Sequence, residues 1–298
     1  MISPIALGTV QLGVTYGIAN RLGKPDRDSS LEILETAWEQ GIRCFDTARA
    51  YGESETVLGA FFAQFPGRMA SAQIVTKLAP NFTDDQHSDL AVAVRECLDK
   101  LQCPELWGLL LHREEEMDNL TQELLRQIQS LRDEKFLRHF GVSCQTPEGA
   151  CRALEIDAID VIQIPSSVFD SRWIDERIPQ RIHECGKQLF IRSIYLQGLA
   201  LMIPEEVPKG IPGGKDAVKQ IAGFCEAHNL SRDHFCLSYI QKRIPHAVPV
   251  LGAETSEQVL RNTGIAMDDT ISLEIFDEWD ERYRLSDPLL TDPSKWTT

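Results

Sequence analysis

The chain has 298 residues, 45 acidic and 30 basic side chains, and a formal net charge of −15. This charge disfavours binding to nucleic acid or to an anionic membrane surface. No apolar run reaches the length of about 18 residues that a transmembrane helix needs. The first residues also lack the basic and apolar regions of a signal peptide. We therefore expect a soluble, cytoplasmic protein.

The chain contains eight cysteines. They form no CxxC pair, and none is grouped with histidine at metal-ligand spacing. In a chain of this length, such usage indicates buried thiols in a reducing compartment and no metal site.

Short apolar runs alternate with segments of helical periodicity along the chain, which is typical of a parallel sheet covered by helices. The predicted strands are 5–10, 42–45, 74–77, 109–112, 136–142, 159–164, 189–193 and 247–251. The predicted helices are 29–40, 54–62, 90–101, 120–131, 147–154, 174–185, 217–227, 232–243, 256–267 and 272–284. Eight strands alternating with helices predict an α/β fold, a single-domain (β/α)8 TIM barrel over residues 1–298. The segment 272–284 is then an extra C-terminal helix.

Polar side chains stand at the ends of three consecutive predicted strands. Asp46 follows strand two, Lys77 ends strand three and His112 ends strand four, while Tyr51 lies in the loop just after Asp46. Barrels of this kind take their catalytic groups from the C-terminal ends of the strands. A buried carboxylate also needs a cationic partner, and Lys77 is the neighbouring cation. We therefore expect the four side chains to meet at one rim.

The four residue types suit proton transfer at a carbonyl group. A lysine beside a phenol stabilises the phenolate, so that Tyr51 becomes a usable proton donor near neutral pH. Asp46 would hold Lys77 charged and in place, and His112 could orient a carbonyl oxygen toward Tyr51. Taken singly, each residue also has a structural explanation: a rim ion pair, a core histidine or a loop anchor. Their convergence by strand order favours the catalytic interpretation.

The segments that carry these residues resemble the catalytic tetrad motifs of the aldo-keto reductases, in order and in spacing. They are Phe45-Asp46-Thr47-Ala48, Ala50-Tyr51-Gly52, Val75-Thr76-Lys77 and Leu110-Leu111-His112. The resemblance runs from about Gly8 to Asn262. It implies hydride transfer between a nicotinamide and a small-molecule carbonyl or alcohol, with Tyr51 as acid in reduction and base in oxidation. It also implies that Lys77 and Asp46 tune Tyr51 and that His112 positions the substrate oxygen.

The same resemblance implies a cofactor site in the second half of the chain. Ser143 and Gln163 stand where the family holds the nicotinamide carboxamide, and 192–198 looks like the family's pyrophosphate loop after strand seven. Residues 252–258 resemble the phosphate and adenine segment at a helix N-terminus, a position suited to an anion. The cofactor-binding residues implied in this way are Ser143, Gln163, Ser193, Leu196, Gly198, Gly252, Thr255, Gln258 and Asn262.

The chain departs from the family pattern at the end of the site that takes the adenosine. Family resemblance implies NADP(H), but Gly252 and Gln258 replace the basic residues with which many members grip the 2′-phosphate. Glu254 and Glu257 lie nearby and should repel that phosphate, whereas Arg261 could replace the missing cations. We therefore expect a weaker NADP preference than is usual in the family, and use of NAD(H).

Loop position alone suggests which side chains line the substrate pocket: Tyr16, Phe169, Trp173, Tyr195 and Leu196. Trp173 could equally belong to the core, and Tyr195 could either pack or lie beside the cofactor. The loop after strand seven is similar to that of reductases encoded for bacterial surface sugars, so the chain resembles a bacterial member.

Two other functions remain open on sequence. Potassium channel β subunits share the fold and cofactor site, yet act mainly as binding and regulatory partners. A barrel enzyme could also use Lys77 as a Schiff-base nucleophile. Such a lysine needs an apolar pocket that lowers its pKa, and Asp46 would do the reverse.

Overall fold

In the computed structural model, which describes residues 3–84, 89–283 and 287–297, eight parallel strands close into a barrel in sequence order. They are Ala6–Gly8 (β1), Cys44–Asp46 (β2), Gln73–Lys77 (β3), Leu106–Leu111 (β4), Leu137–Ser143 (β5), Val161–Pro165 (β6), Gln188–Arg192 (β7) and Ala247–Gly252 (β8). The predicted (β/α)8 barrel is confirmed.

Helices connect the strands on the outside of the barrel. The α-helical segments are Val10–Gly13 (α1), Arg27–Glu39 (α2), Ser54–Gln64 (α3), Pro66–Met69 (α4), Leu90–Leu101 (α5), Gln122–Asp133 (α6), Pro147–Leu154 (α7), Arg172–Asp175 (α8), Ile178–Glu184 (α9), Gly214–Ala227 (α10), Arg232–Arg243 (α11), Ser256–Ala266 (α12), Leu273–Arg282 (α13) and Pro288–Thr291 (α14). Short 3-10 turns lie at Phe82–Asp84, Glu114–Asn119, Leu199–Leu201, Pro204–Glu206 and Pro293–Lys295.

Side chains of every strand bury both faces of the sheet. Successive residues of a strand point to opposite faces, so that one set fills the barrel and the other packs against the helices. The inner set is Ala6, Cys44, Val75, Leu110, Val161, Phe190 and Val250. Burial on both faces explains why the strands appear in the sequence as continuous apolar runs rather than as alternating patterns.

The register of the strands brings their C-terminal ends to one rim. Gly8 of β1 pairs with Asp46 of β2, Asp46 pairs with Val75 of β3, and Lys77 pairs with Leu110 of β4. Asp46 and Lys77 therefore end neighbouring strands at nearly the same height. This placement is what the sequence predicted for the catalytic rim.

One predicted helix is divided in the structure, and one predicted strand gives way to a helix at its end. The predicted helix 174–185 is two helices, α8 and α9, because Arg177 between them has the left-handed φ of 55°. Pro179 in the first turn of α9 also lacks the N–H that a continuous helix needs. The predicted strand 5–10 is shorter, since Val10 already begins α1.

The predicted C-terminal helix 272–284 is α13, Leu273–Arg282, and its predicted last residue, Arg284, lies outside the described residues. Trp279 of α13 is fully buried, and its Nε1 donates to the carbonyl oxygen of Val168 at 3.1 Å. Its ring packs edge-on against Phe224 and Phe235 at centroid distances of 5.2 Å and 5.4 Å. These contacts fix α13 against α10 and α11.

All eight cysteines lie in the described part of the chain, and all are free. Six are buried, as the sequence predicts, whereas Cys151 is half-buried and Cys185 is exposed, which corrects the prediction for the latter. Cys185 follows α9 directly, next to the left-handed Gly186 on the surface. No group of three or more metal-binding side chains occurs among the described residues. Within the same ranges, none of the helices combines the length and apolarity that spanning a membrane requires.

Candidate active site

Asp46 and Lys77 form a buried ion pair at the rim. Lys77 Nζ donates to Asp46 Oδ1 at 2.7 Å, to Oδ2 at 2.8 Å and to the carbonyl oxygen of Thr47 at 3.1 Å. The two side chains are 1% and 6% exposed, Lys77 being the more buried. Burial lowers the pKa of Lys77, but Asp46 and then Tyr51 more than offset it, and the net pKa lies above the usual value. Lys77 is thus held charged, the reverse of what a Schiff-base lysine needs.

A buried network of hydroxyl groups holds the main chain on which Asp46 lies. Thr9 Oγ1 donates to the carbonyl oxygen of Asp46 at 2.9 Å and shares a 2.6 Å hydrogen bond with Ser54 Oγ. Ser54 Oγ also lies 2.8 Å from Thr47 Oγ1. The network joins β1, the end of β2 and the start of α3. It fixes the main chain from which Asp46 projects.

Gln163 links the pair to the opposite side of the barrel. It is fully buried in β6, and its Nε2 donates to Asp46 Oδ1 at 2.8 Å. Its Oε1 accepts a long bond, 3.5 Å, from Ser143 Oγ of β5. The two residues assigned by resemblance to the nicotinamide carboxamide therefore touch each other, and one of them touches the carboxylate that holds Lys77.

The position of Tyr51 depends on two glycines that meet beneath it. A Cβ at Gly13 would lie 1.7 Å from the carbonyl oxygen of Tyr51. Gly52 has a φ of +56°, and a Cβ there would lie 2.5 Å from the carbonyl oxygen of Gly13. Only glycine allows the loop after β1 and the loop after β2 to approach this closely. This contact fixes the position of the Tyr51 side chain.

The four predicted catalytic side chains come together in the structure. Lys77 Nζ lies 5.1 Å from the centre of the Tyr51 ring, and the rings of Tyr51 and His112 are 6.0 Å apart in an edge-on arrangement. With Asp46 bound to Lys77, the order of contacts is carboxylate, ammonium, phenol and imidazole. This arrangement can move a proton through the phenol while keeping the neighbouring cation fixed.

His112 is neutral over the physiological pH range. Burial first, and then the charge of Lys77, lower its pKa to about 4, although the hydrogen bond to the Leu78 carbonyl acts in the opposite direction. Its Nδ1 lies 3.3 Å from that carbonyl oxygen. Because a carbonyl oxygen only accepts, this bond requires the proton on Nδ1 and leaves Nε2 as an acceptor. In this tautomer Nε2 can only accept a hydrogen bond. To orient a carbonyl oxygen directly, as the sequence suggested, His112 needs the tautomer with its proton on Nε2.

A cavity opens beside Tyr51 and runs between the loops after β1, β7 and β8. Of the predicted residues, it is lined by Asp46, Tyr51, Tyr16, Tyr195, Ser193, Gly198, Gly252 and Gln258. Ser143, Gln163, Leu196, Thr255 and Asn262 are not on its wall. Thr255 instead caps α12, accepting from Gln258 N, and Asn262 Nδ2 donates a long bond of 3.5 Å to the Gly252 carbonyl oxygen.

The loop after β7 has an unusual backbone. Ser193, Leu196 and Gln197 have φ values of 64°, 48° and 55°, and Gly198 has a φ of 90°. Left-handed residues other than glycine are uncommon, and clusters of them occur at ligand sites, where the surrounding structure maintains the strain. Here the Gln197 carbonyl oxygen accepts from Ile18 N at 3.1 Å, which ties the loop to the segment after β1.

Among the described residues, no cation forms an ion pair with Glu254 on the wall beside α12. Glu254 lines the cavity, and burial raises the pKa of its carboxyl group. Its main-chain N–H donates to Gln258 Oε1 at 2.7 Å, so the side-chain oxygen of Gln258 already has a hydrogen-bond partner. Arg261 does not compensate, because its guanidinium is paired with Asp233. The cation that the sequence left open for a 2′-phosphate is therefore already engaged.

Three predicted lining residues are corrected by the structure. Phe169, Trp173 and Leu196 are buried and lie off the cavity wall. Trp173 Nε1 donates to Asp170 Oδ2 at 3.2 Å, so that its polar atom is satisfied inside the protein. Both rings belong to the core between the barrel and its helices. They follow β6 in the chain, but their side chains pack into the core instead of lining the cavity at the rim.

The cavity wall also includes Gln11 and Asn20, which had no predicted role, and Arg192, which was predicted only as part of the segment 192–198. Gln11 packs so closely on Gly252 that a Cβ there would lie 2.2 Å from its Nε2. Its Oε1 is buried without a hydrogen-bond partner among the described residues. Arg192 ends β7, so the strand-end rule that found Lys77 would have found it as well.

A closed (β/α)8 barrel with a carboxylate, an ammonium, a phenol and an imidazole at the carboxyl ends of its strands defines an enzyme-like site. The family model described as "Aldo/keto reductase family" matches residues 4–284. The chain therefore belongs to the aldo/keto reductase family. The name of the family describes reductases of aldehydes and ketones.

Individual relatives are distant. The chain is 23% identical to the probable aldo-keto reductase 1 of Glycine max over 88% of this chain and 84% of that protein. It is 25% identical to the putative aryl-alcohol dehydrogenase AAD14 of Saccharomyces cerevisiae over 58% of this chain, and that match spans about half (48%) of the yeast protein. The holo form of the aldo-keto reductase AKR11C1 from Bacillus halodurans superposes with a TM-score of 0.78 at 20% identity, covering 99% of this chain and 95% of that one. At this identity the superposition supports the fold alone.

Proposed function

We propose that this protein is a carbonyl reductase or alcohol dehydrogenase dependent on NAD(P)(H), with Tyr51 as its general acid and base. The observation that carries the proposal is the position of Lys77 Nζ, bound to both oxygens of Asp46 and 5.1 Å from the Tyr51 ring centre. A fixed ammonium at this place stabilises the phenolate that remains when Tyr51 gives up its proton. Asp46 keeps the ammonium from moving away as the charge develops.

The remaining residues have supporting roles in this proposal. His112 is neutral and, in the tautomer that carries its proton on Nε2, would donate to the substrate oxygen, so that the single hydroxyl proton of the alcohol stays directed at the phenolate of Tyr51 in oxidation. In reduction, Tyr51 donates its proton to the carbonyl oxygen. Thr9 and Ser54 maintain the main chain beneath Asp46. Their buried hydroxyl groups act through position and not through contact with substrate.

The cavity presents the left-handed loop from Ser193 to Gly198, which would face the pyrophosphate of a nicotinamide cofactor. Ser143 and Gln163, which the resemblance assigns to the carboxamide, lie off this wall and hydrogen-bond to each other, so they would hold the carboxamide only by exchanging that bond. The unpartnered Gln11 Oε1 is an acceptor available on the same wall. When bound, the cofactor supplies or accepts the hydride.

We further propose that the protein uses NAD(H) at least as well as NADP(H). Glu254 lines the cavity without a paired cation in the described part of the chain, and Arg261 is engaged with Asp233. An unpaired carboxylate disfavours a 2′-phosphate and suits the free hydroxyl groups of a ribose. The lack of basic residues at Gly252 and Gln258 points the same way. The cytoplasmic location stays a prediction from the sequence.

The proposal is tested by comparing the wild type with Tyr51→Phe. Titration with NADH and NADPH, followed by fluorescence, measures cofactor affinity, and reduction of benzaldehyde measures turnover. Tyr51→Phe removes only the hydroxyl group. We expect kcat to fall by about 10²–10⁴, the usual contribution of a general acid, with cofactor affinity retained.

The other outcomes separate the alternatives. A wild type that binds a nicotinamide but turns over no carbonyl or alcohol would favour the regulatory function seen in channel β subunits. Equal turnover by Tyr51→Phe would remove the phenol from the mechanism. Failure to bind either cofactor would show that the assignment of the second-half residues is wrong.

A further inference from the structure

Arg192 is a cation on the cavity wall whose hydrogen-bond partners are all neutral. Its Nη2 donates to Gln145 Oε1 at 2.8 Å, its Nε to Ser143 Oγ at 3.3 Å and its Nη1 to Ser193 Oγ at 3.4 Å. The side chain is only partly exposed. Within residues 3–84, 89–283 and 287–297, no carboxylate forms an ion pair with it. The guanidinium is held in place but not neutralised.

The other charges of the cavity are distributed differently. Of the charged residues on its wall, Asp46 is neutralised by Lys77, and Glu254 belongs to the wall beside α12. Arg192 ends β7, on a wall that is linked to Asp46 through Ser143 and Gln163. After burial and Lys77, its charge is among the causes that lower the pKa of His112, and it partly offsets the burial that raises the pKa of Tyr16. The cavity thus has a free cation near the catalytic side chains and a free anion near α12.

A partly buried cation without a counter-ion lowers the stability of the fold unless an anionic ligand pairs with it. A guanidinium already oriented by neutral partners is well suited to grip a carboxylate or a phosphate through two parallel hydrogen bonds. In a chain with a net charge of −15, this positive end of the cavity also opposes the overall field. Arg192 therefore has the chemistry of a group that binds an oxyanion.

We propose that Arg192 binds an anionic group of the substrate, so that the natural substrates are carbonyl compounds, or the matching alcohols, that carry a carboxylate or a phosphate. This inference rests on the proposed function, since it names the substrate class of the same site. The same chemistry could come from the pyrophosphate of the cofactor. We assign the substrate because Arg192 Nε contacts Ser143 Oγ, which is linked through Gln163 to Asp46, whereas the pyrophosphate would face the loop from Ser193 to Gly198.

The test compares matched pairs of aldehydes that differ in charge. One pair is 4-carboxybenzaldehyde and methyl 4-formylbenzoate, and the other is glyceraldehyde 3-phosphate and glyceraldehyde. The measured quantity is the ratio of kcat/KM for the charged member to that for the neutral one. In the wild type we expect a ratio of at least about 10 for one of the pairs, which corresponds to about 1.4 kcal/mol.

The variants are Arg192→Gln, Arg192→Lys and, as a matched control, Arg113→Gln. Arg113 follows His112 directly, is exposed, and donates to Asn81 Oδ1 at 2.9 Å, so its removal changes the net charge equally without altering the cavity wall. We expect Arg192→Gln to lower the ratio at least tenfold, Arg192→Lys to keep part of it and Arg113→Gln to leave it unchanged. A ratio unaffected by Arg192→Gln overturns the proposal.

Two calorimetric titrations complete the test. Binding of 4-carboxybenzyl alcohol, measured without turnover, should weaken at least tenfold in Arg192→Gln, and equal affinity overturns the proposal even if no aldehyde is reduced by the wild type. Titration with NADH identifies the other source of the oxyanion. If Arg192→Gln weakens NADH binding and lowers kcat/KM equally for both members of each pair, the cation serves the cofactor and the substrate assignment is wrong.

Discussion

The two ends of the cavity differ in how their charges are balanced. At the Tyr51 end, Asp46 and Lys77 are buried, bound to each other and supported by further hydrogen bonds from Gln163 and to Thr47. Along the walls formed by the loop after β7 and by α12, Arg192 and Glu254 have no charged partner among the described residues. The first end is complete without a ligand. The second has groups that only a ligand would satisfy.

This difference separates two kinds of functional residue. A buried ion pair must be geometrically fixed, because breaking it leaves an uncompensated charge in a low-dielectric site. Unpaired charged groups on a partly exposed wall destabilise the fold less, because water solvates them until a ligand binds. The expectation is that substitutions at the Tyr51 end reduce stability and turnover together, whereas those on the open walls alter ligand choice.

The largest effect is expected from breaking the buried pair. Lys77→Met leaves Asp46 buried without a cation, so we expect the free energy of unfolding to fall by about 3–5 kcal/mol. Turnover should fall at least about 10²-fold, since the phenolate loses its cation. Urea denaturation and steady-state kinetics measure the two effects. Adding Asp46→Asn to Lys77→Met should restore much of the stability but none of the turnover. If Lys77→Met alone were as stable as the wild type, the ion pair would not balance the charges at the Tyr51 end.

A smaller effect is expected from crowding the contact beneath Tyr51. In Gly13→Ala the new methyl group meets the Tyr51 carbonyl oxygen at 1.7 Å, so the loop that carries the phenol must shift. We expect a loss of about 2 kcal/mol in unfolding free energy, typical of overpacking, and a tenfold or greater loss of kcat. Gly67→Ala in α4 is the control, because nothing lies within 4 Å of a Cβ there. Unchanged kcat in Gly13→Ala would mean that the phenol is positioned by something else.

On the open wall, Glu254→Gln should change cofactor choice without affecting stability. Removing the carboxylate removes its repulsion of a 2′-phosphate, so we expect the affinity for NADPH relative to NADH to rise about tenfold, or about 1.4 kcal/mol. Fluorescence titration with both cofactors measures the ratio. Glu257→Gln, the same charge change on an exposed residue of α12, should alter the ratio much less. Equal shifts in the two variants would show that the general field, and not the wall position, decides.

The smallest effect concerns the titration of His112. Its pKa is about 4 in the folded protein, against an ordinary value near 6.5, so the unfolded chain binds more protons between these pH values. Stability should therefore fall as the pH is lowered from about 6.5 to 4. The imidazole is partly exposed, so we expect a loss of about 1 kcal/mol more in the wild type than in His112→Gln. Urea denaturation across this range measures the difference, and parallel profiles would contradict the lowered pKa.

The parts of the site that could be predicted from sequence are those fixed by strand order. Once eight strands alternate with helices, Asp46 and Lys77 must end neighbouring strands at one rim, and their meeting follows from topology. Tyr51 and His112 follow those strand ends within a few residues. The glycine contact at Gly13 was not predicted, because it joins two loops that are distant in sequence.

The residues that were missed or misplaced depend on contacts that no local pattern contains. Phe169 and Trp173 were assigned to the cavity by loop position, but the segment after β6 packs inward and buries both rings. Arg261 was left free for a phosphate, yet Asp233, at a different place in the chain, engages it. Arg192 was predicted as part of strand seven and of the loop that follows it, and nothing in the sequence indicates that its partners are all neutral. Pairing of charges is decided by tertiary structure.

Isotope transfer can show directly whether a hydride moves to the carbonyl carbon with Tyr51 as the acid. Benzaldehyde is reduced with NADH that carries two deuterium atoms at C4 of the nicotinamide, and the benzyl alcohol is analysed by mass spectrometry and NMR. We expect one deuterium at the carbinol carbon in the wild-type product, and at least a 10²-fold slower transfer in Tyr51→Phe. Alcohol without deuterium at that carbon, or transfer at the same rate in both proteins, would contradict this mechanism.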